Sequence, residues 1–160
     1  MRIARPSAFI FFILTLPVHG QTLDDLIKRE GIYYEESSNV PFSGVIKGRD
    51  RGAFTNGFKE GLWLYHHENG SLSHKGHYKN GKRDGVWEGY YANGQLFYKG
   101  EFREGVKVGK WESYYDNRKT FYKGEYRDGK EEGIWVGFNP DGSVWEYRTG
   151  MFKNGVKVKK

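Results

Sequence analysis

Four histidines, His66, His67, His74 and His77, fall within twelve residues. Closely spaced imidazoles are common ligands of transition metals, so this cluster is the first candidate for chemistry. Carboxylates form a second set. Glu88, Glu101, Glu112 and Glu125 could act as general acid and base only if their surroundings drove two pKa values apart. The third set is aromatic: Tyr90, Phe97, Tyr114, Phe121 and Phe138, flanked by Lys99 and Lys123. Such a strip suits a docking protein. Its rings and ammonium groups would also suit a sugar ring or an anionic headgroup.

All three sets belong to one repeating pattern, and the pattern weakens the first two. Trp63, Trp87, Trp111 and Trp135 stand 24 residues apart, and Gly76, Gly100 and Gly124 keep the same step. His66 and His67 occupy the slots of Tyr90-Tyr91 and Tyr114-Tyr115, and His74 that of Tyr98 and Tyr122. They stand as aromatic replacements in a half-buried ladder. Adjacent strand residues also point to opposite faces, so His66 and His67 do not easily share an ion. Glu88 and Glu112 repeat with the unit, as do Glu101 and Glu125. A catalytic pair should instead be unique and set in a cleft. These features point away from an enzyme, a metal and a cofactor.

The elements that position these residues follow from the turn signals. Asn69-Gly70, Asn93-Gly94, Asn117-Arg118 and Asp141-Gly142 form one series; Asn80-Gly81, Glu104-Gly105, Asp128-Gly129 and Asn154-Gly155 form the other. Both are expected to make two-residue type I′ hairpin loops, which need positive φ. Turns then recur about every twelve residues, which predicts an antiparallel meander. A two-residue loop at Asn93-Gly94 sets Trp87 opposite Gly100, Glu88 opposite Lys99, Gly89 opposite Tyr98 and Tyr90 opposite Phe97. In the next unit Trp111 faces Gly124, Glu112 faces Lys123, Ser113 faces Tyr122 and Tyr114 faces Phe121. Alternation then gives a core face holding Trp63, Trp87, Trp111 and Trp135, with Gly76, Gly100 and Gly124 making room for the indoles. The outer row Tyr90, Phe97, Tyr114, Phe121 and Phe138 falls on the opposite face.

The ends differ from the middle. Arg2 and Arg5 precede an apolar run, Ala8 to Leu16, and a small-residue site at Val18-His19-Gly20. This order reads as a signal peptide over residues 1–20, its apolar run too short to span a bilayer, and implies a periplasmic or extracellular destination. Residues 21–31 read as a short helix, with Thr22 as cap, Asp25 three residues on and Gly31 as stop. That helix is expected to cover the first sheet edge. Residues 32–160 form the repeat domain. Two extra residues between Gly142 and Gly150 call for a bulge or longer loop, and the tail from Val156 to Lys160 reads as a charged edge strand. The chain has no cysteine, so disulfides and thiolate metal sites are excluded. Lys plus Arg number 26 against 20 Asp plus Glu; without Arg2 and Arg5 the balance is 24 against 20, or +4. The basic residues are spread through every unit and not gathered in one stripe, which argues against nucleic acid.

The unit, best seen in Gly85-Val86-Trp87-Glu88-Gly89-Tyr90-Tyr91-Ala92-Asn93-Gly94-Gln95-Leu96 and Lys99-Gly100-Glu101-Phe102, resembles the MORN repeat variant of exported bacterial proteins. Asn39, Asn117-Arg118 and the lengthened last unit depart from the pattern. The resemblance implies an all-β fold: a single-layer antiparallel sheet of stacked 24-residue hairpin repeats. It implies scaffolding or protein interaction, in some members phospholipid contact, and carries an antitoxin-like label. The function expected is an exported, non-catalytic scaffold or protein-binding module that takes up an unknown protein on the aromatic strip or a sheet edge. The alternative is a binding module for cell-wall glycan or anionic phospholipid; antitoxin-like binding of a partner is a third.

Overall fold

The structure, a computed structural model, describes residues 20–159. The segment read as a signal peptide lies, through residue 19, outside the described residues. A first hairpin joins β1 (Leu26–Arg29) to β2 (Ile32–Glu35). The strands β3 (Gly44–Ile46), β4 (Arg51–Thr55), β5 (Phe58–His66), β6 (Leu72–Lys79), β7 (Lys82–Tyr90), β8 (Leu96–Arg103), β9 (Val106–Tyr114), β10 (Thr120–Arg127), β11 (Lys130–Gly137), β12 (Gly150–Lys153) and β13 (Val156–Lys157) follow. Among the described residues these last eleven form one antiparallel sheet in strict chain order, as the turn spacing predicts.

The two turn series fold differently. Asn80-Gly81, Glu104-Gly105, Asp128-Gly129 and Asn154-Gly155 have positive φ at both residues and are tight two-residue turns. In the other series only the second residue, Gly70, Gly94, Arg118 or Gly142, has positive φ. Gly94 N–H donates to the Tyr91 carbonyl, and Tyr91 N–H donates to that of Gln95. This is a three-residue loop with the left-handed residue last. Asn93 serves it through its side chain, whose Oδ1 accepts from Gln95 N–H at 3.0 Å; Asn69, Asn117 and Asp141 do the same at their own turns. The longer loop shifts the pairing by one residue. Trp87–Gly100, Glu88–Lys99 and Gly89–Tyr98 pair as anticipated, but Tyr90 faces Leu96, not Phe97. Likewise Tyr114 faces Thr120, not Phe121. Phe97 and Phe121 are the extra residues of a bulge.

A larger slip separates the units. Lys99 pairs with Glu112 but Glu101 with Val108, so Gly109, Lys110 and Trp111 crowd against Gly100. Gly109 makes this turn at φ 63, and Gly61, Gly85 and Gly133 hold the same conformation. The kink drops each indole across the preceding strand. Trp111 lies on Gly100, Trp87 on Gly76 and Trp135 on Gly124, where any Cβ would collide with the ring.

Burial follows this face. Trp87, Phe102, Trp111, Tyr122, Trp135 and Phe152 form one cluster, and Leu26, Phe42, Ile46, Phe54 and Trp63 a second. The helix expected over residues 21–31 is absent. Asp25 does accept from the Thr22 N–H and hydroxyl, but only one 3₁₀ turn forms, Leu23–Asp25, before β1 starts. A helix this short has little stability of its own. The extended alternative buries Leu26 and closes the hairpin through Glu30-Gly31, a two-residue turn like Glu104-Gly105. The edge of β3 is met by Gln21, whose carbonyl accepts from Lys47 N–H at 2.8 Å. At the other end, the two extra residues are taken up in a turn where the Trp145 carbonyl accepts from Arg148 and Thr149 N–H.

Candidate interaction surface

Each unit builds the same aromatic cell. An indole lies on a glycine, its edge donates to a backbone carbonyl, and a second ring packs against it edge-on. Trp63, Trp87, Trp111 and Trp135 donate to Ala53, His77, Glu101 and Glu125 at 3.1–3.3 Å. The edge-on partners are Phe54, Tyr78, Phe102 and Tyr126, with ring centroids 5.0–5.1 Å away.

A cation completes three of the four cells. Lys59 sits 4.0 Å from the Trp63 ring, Arg83 4.4 Å from Trp87 and Lys107 4.4 Å from Trp111. This cation–π row was missed from the sequence, although its signal is there: a basic residue four positions before Trp, at 24-residue steps. Glu131 breaks the series. Lys59 is enclosed further by Tyr33, Tyr65 and Tyr78, and its ammonium meets the Tyr65 hydroxyl at 2.9 Å. Burial pushes its pKa down to about 8. Burial, with hydrogen bonding to Tyr78, pushes the Tyr65 hydroxyl up.

The opposite face carries paired charges and bare aliphatics. Glu88 lies between Lys75 (2.8 Å) and Lys99 (3.0 Å) and accepts from the Tyr90 hydroxyl. The Lys75 hydrogen bond, then that of Tyr90, draws its pKa down to about 2. So weak a base is unsuited to taking protons near neutral pH. Tyr114 caps Glu112 in the same way, and Lys123 lies 5.8 Å from the Phe138 ring. Leu62, Val86 and Ile134 are half or more exposed (50, 51 and 66%).

The seven residues of the anticipated strip therefore divide. Tyr90, Lys99, Tyr114, Lys123 and Phe138 share the face opposite the tryptophans. Phe97 and Phe121 are carried by the bulge to the tryptophan face. Phe97 packs on Tyr91 and Tyr98, and Phe121 on Tyr115 and Tyr122. An open hollow of 350 Å³ lies there, between Arg83, Phe97, Tyr98, Lys107 and Tyr126. The histidines act within the ladder. His67 meets the Tyr90 carbonyl as Tyr91 meets that of Tyr114 and Tyr115 that of Phe138. His66 is spent on the Arg49 carbonyl and His74 on the Ser73 hydroxyl.

A family model for the MORN repeat variant matches residues 59–80 and 83–104. Residues 59–104 carry two MORN repeat variants. A comparison with curated proteins finds no match. The two matched segments open on the cation and indole of two cells, Lys59–Trp63 and Arg83–Trp87. MORN repeats suggest a repeat-based binding or scaffold module.

Proposed function

We propose that this chain is an exported, non-catalytic protein-interaction module that docks its partner on the face opposite the tryptophans. The observation that carries this is the chemistry of that face. Leu62, Val86 and Ile134 are exposed at the same slot of three units, while Glu88 ion-pairs with the lysines on either side of it. Exposed aliphatics between ion-paired charges suit a protein surface, which buries apolar area. A polyanion such as an anionic bilayer would be served better by unpaired cations. Export is supported by the basic, apolar and small-residue order of residues 1–20.

The test is purification of the tagged chain from the periplasm and medium of its native host, beside a Val86→Glu/Ile134→Glu variant. A protein that co-purifies with the parent and is lost with the variant supports the proposal. Strong, salt-sensitive sedimentation with anionic liposomes, or retention on insoluble peptidoglycan, without any such protein would overturn it.

A further inference from the structure

The cations over the tryptophans differ from Lys75 and Lys99 of the opposite face in having no counter-ion. The ion pairs among the described residues are Lys75–Glu88, Lys99–Glu88 and Arg127–Glu132, and none involves Lys59, Arg83 or Lys107. Arg83 rests on the Trp87 and Phe102 rings, and Lys107 on those of Trp111 and Tyr126. Lys59 spends one N–H on the Tyr65 hydroxyl and keeps two. The carboxylates that act on this row do so from its ends, Asp50 on Lys59 and Glu131 on Lys107, without closing an ion pair. Burial lowers the pKa of Lys59 and of Lys107, and the Arg83 charge between them adds to the fall in both. The row thus repels itself and lacks an anion.

Two hollows open beside these cations. One, of 270 Å³, is lined by Tyr65, His74, Tyr78, Arg83 and Trp87. The other, of 350 Å³, has Arg83 and Lys107 in its lining, with Phe97, Tyr98 and Tyr126 among its walls. Arg83 lines both. Phe97 is 41% exposed, so the second hollow offers apolar surface as well as charge. Equivalent cells stand two strands apart, about 10 Å. Three residues of an extended chain advance by about the same distance. A chain crossing the strands therefore meets one cation at every third residue.

We propose that the tryptophan face binds an extended, acidic segment of a partner protein, laid across β5, β7 and β9 with its carboxylates on Lys59, Arg83 and Lys107. Lysine and arginine donate and cannot accept, so they call for an acceptor-only group, which an ionised carboxylate is. The guanidinium can meet a carboxylate with two N–H groups at once. The residues between the carboxylates rest in the hollows, against rings such as Phe97 and Tyr98. A bilayer surface fits less well, because the cations are partly buried between rings, within reach of single side chains. This reading rests on the chain being a protein-interaction module, and it uses the face opposite Val86 and Ile134.

The probe is a labelled peptide with a glutamate at every third position in a serine and valine background. A control peptide has the same composition with its glutamates consecutive. Binding to the full chain is followed by fluorescence anisotropy at physiological ionic strength. We expect saturable binding of the spaced peptide. Binding should be about tenfold weaker for the control peptide and for the Arg83→Gln/Lys107→Gln chain, the loss of a charge-assisted hydrogen bond. Lys99→Gln/Lys123→Gln removes the same charge from the opposite face and should change binding by less than about twofold, since distant charges are screened. Circular dichroism checks that the variants fold; if glutamine is not tolerated over the rings, methionine keeps the stem and removes the charge. No binding at millimolar peptide, equal affinity for the two peptides, or equal loss from the two double variants overturns the proposal. So does sedimentation with phosphatidylglycerol vesicles that depends on Arg83 and Lys107 in a chain indifferent to the peptide. A failure here leaves the co-purification that depends on Val86 and Ile134 untouched, so the two proposals fail separately.

Discussion

Gly100 and Gly150 occupy equivalent slots yet should respond differently to the same substitution. A Cβ on Gly100 strikes the rigid Trp111 indole, whereas one on Gly150 strikes a lysine stem that can swing away. Gly100→Ala is expected to cost about 1–3 kcal/mol, typical of an overpacked core, and Gly150→Ala much less; urea unfolding separates them. The charged residues give two pH signatures. Glu88 has a folded pKa of about 2, below its ordinary 4.5. Its contribution is therefore present above pH 4.5 and is lost as pH falls toward 2. Glu88→Gln should remove that part of the acid sensitivity while costing under about 1 kcal/mol at neutral pH, since the flanking lysines are half exposed. Lys59 gives a slope of the same sign, but its depressed pKa is a cost at neutral pH. With a folded pKa of about 8 against an ordinary 10.5, the unfolded chain binds more protons between those values, so stability rises with pH above 8. The Tyr65 hydroxyl, pushed up, opposes this once free tyrosine ionises near pH 10. Lys59→Met should flatten the rise between pH 8 and 10 in a series of unfolding curves.

The hairpins depend on two kinds of loop, and one of them carries strain. Arg118 holds φ 69 where Gly70, Gly94 and Gly142 stand in the other units. A left-handed conformation costs an ordinary residue roughly 1–2 kcal/mol. Arg118→Gly is therefore expected to stabilise the protein by about 1 kcal/mol, seen as a rise in melting temperature. The same loop explains why the strip was only partly legible. Asn-Gly permits either a two-residue or a three-residue turn, and the choice rests on whether Asn uses its φ or its side chain. Here the side chain caps the residue two places on. One added loop residue moved Phe97 and Phe121 to the other face, while Trp87–Gly100 and Glu88–Lys99, beyond the bulge, kept their partners. The first hairpin was hidden for a related reason. Capping signals at Thr22 and Asp25 are local, and they lost to the burial of Leu26, which is not.

A sheet whose strands pair only with their chain neighbours behaves as a one-dimensional stack. The two clusters divide it, one around Trp63 and one from Trp87 to Phe152. Leu26 belongs to the first and closes its open end. Leu26→Ala should cost about 2–5 kcal/mol at that site. Amide hydrogen exchange should show protection lost mainly across Phe54–Trp63, with β8 to β10 little changed; uniform loss along the sheet would show a single cooperative unit instead.

The 24-residue spacing of Trp and Gly, and the turn residues between them, determined on their own that the chain is an antiparallel meander. They also determined which residues face each other at the middle of each hairpin. These follow from alternation and turn chemistry, which act over a few residues. Only the tertiary structure decided which glycine each indole covers, where the cations rest and which face Phe97 and Phe121 join. Those outcomes depend on bulges that slip one strand past another. A slip of one residue reverses a side chain's direction without altering the spacing from which it would have to be read.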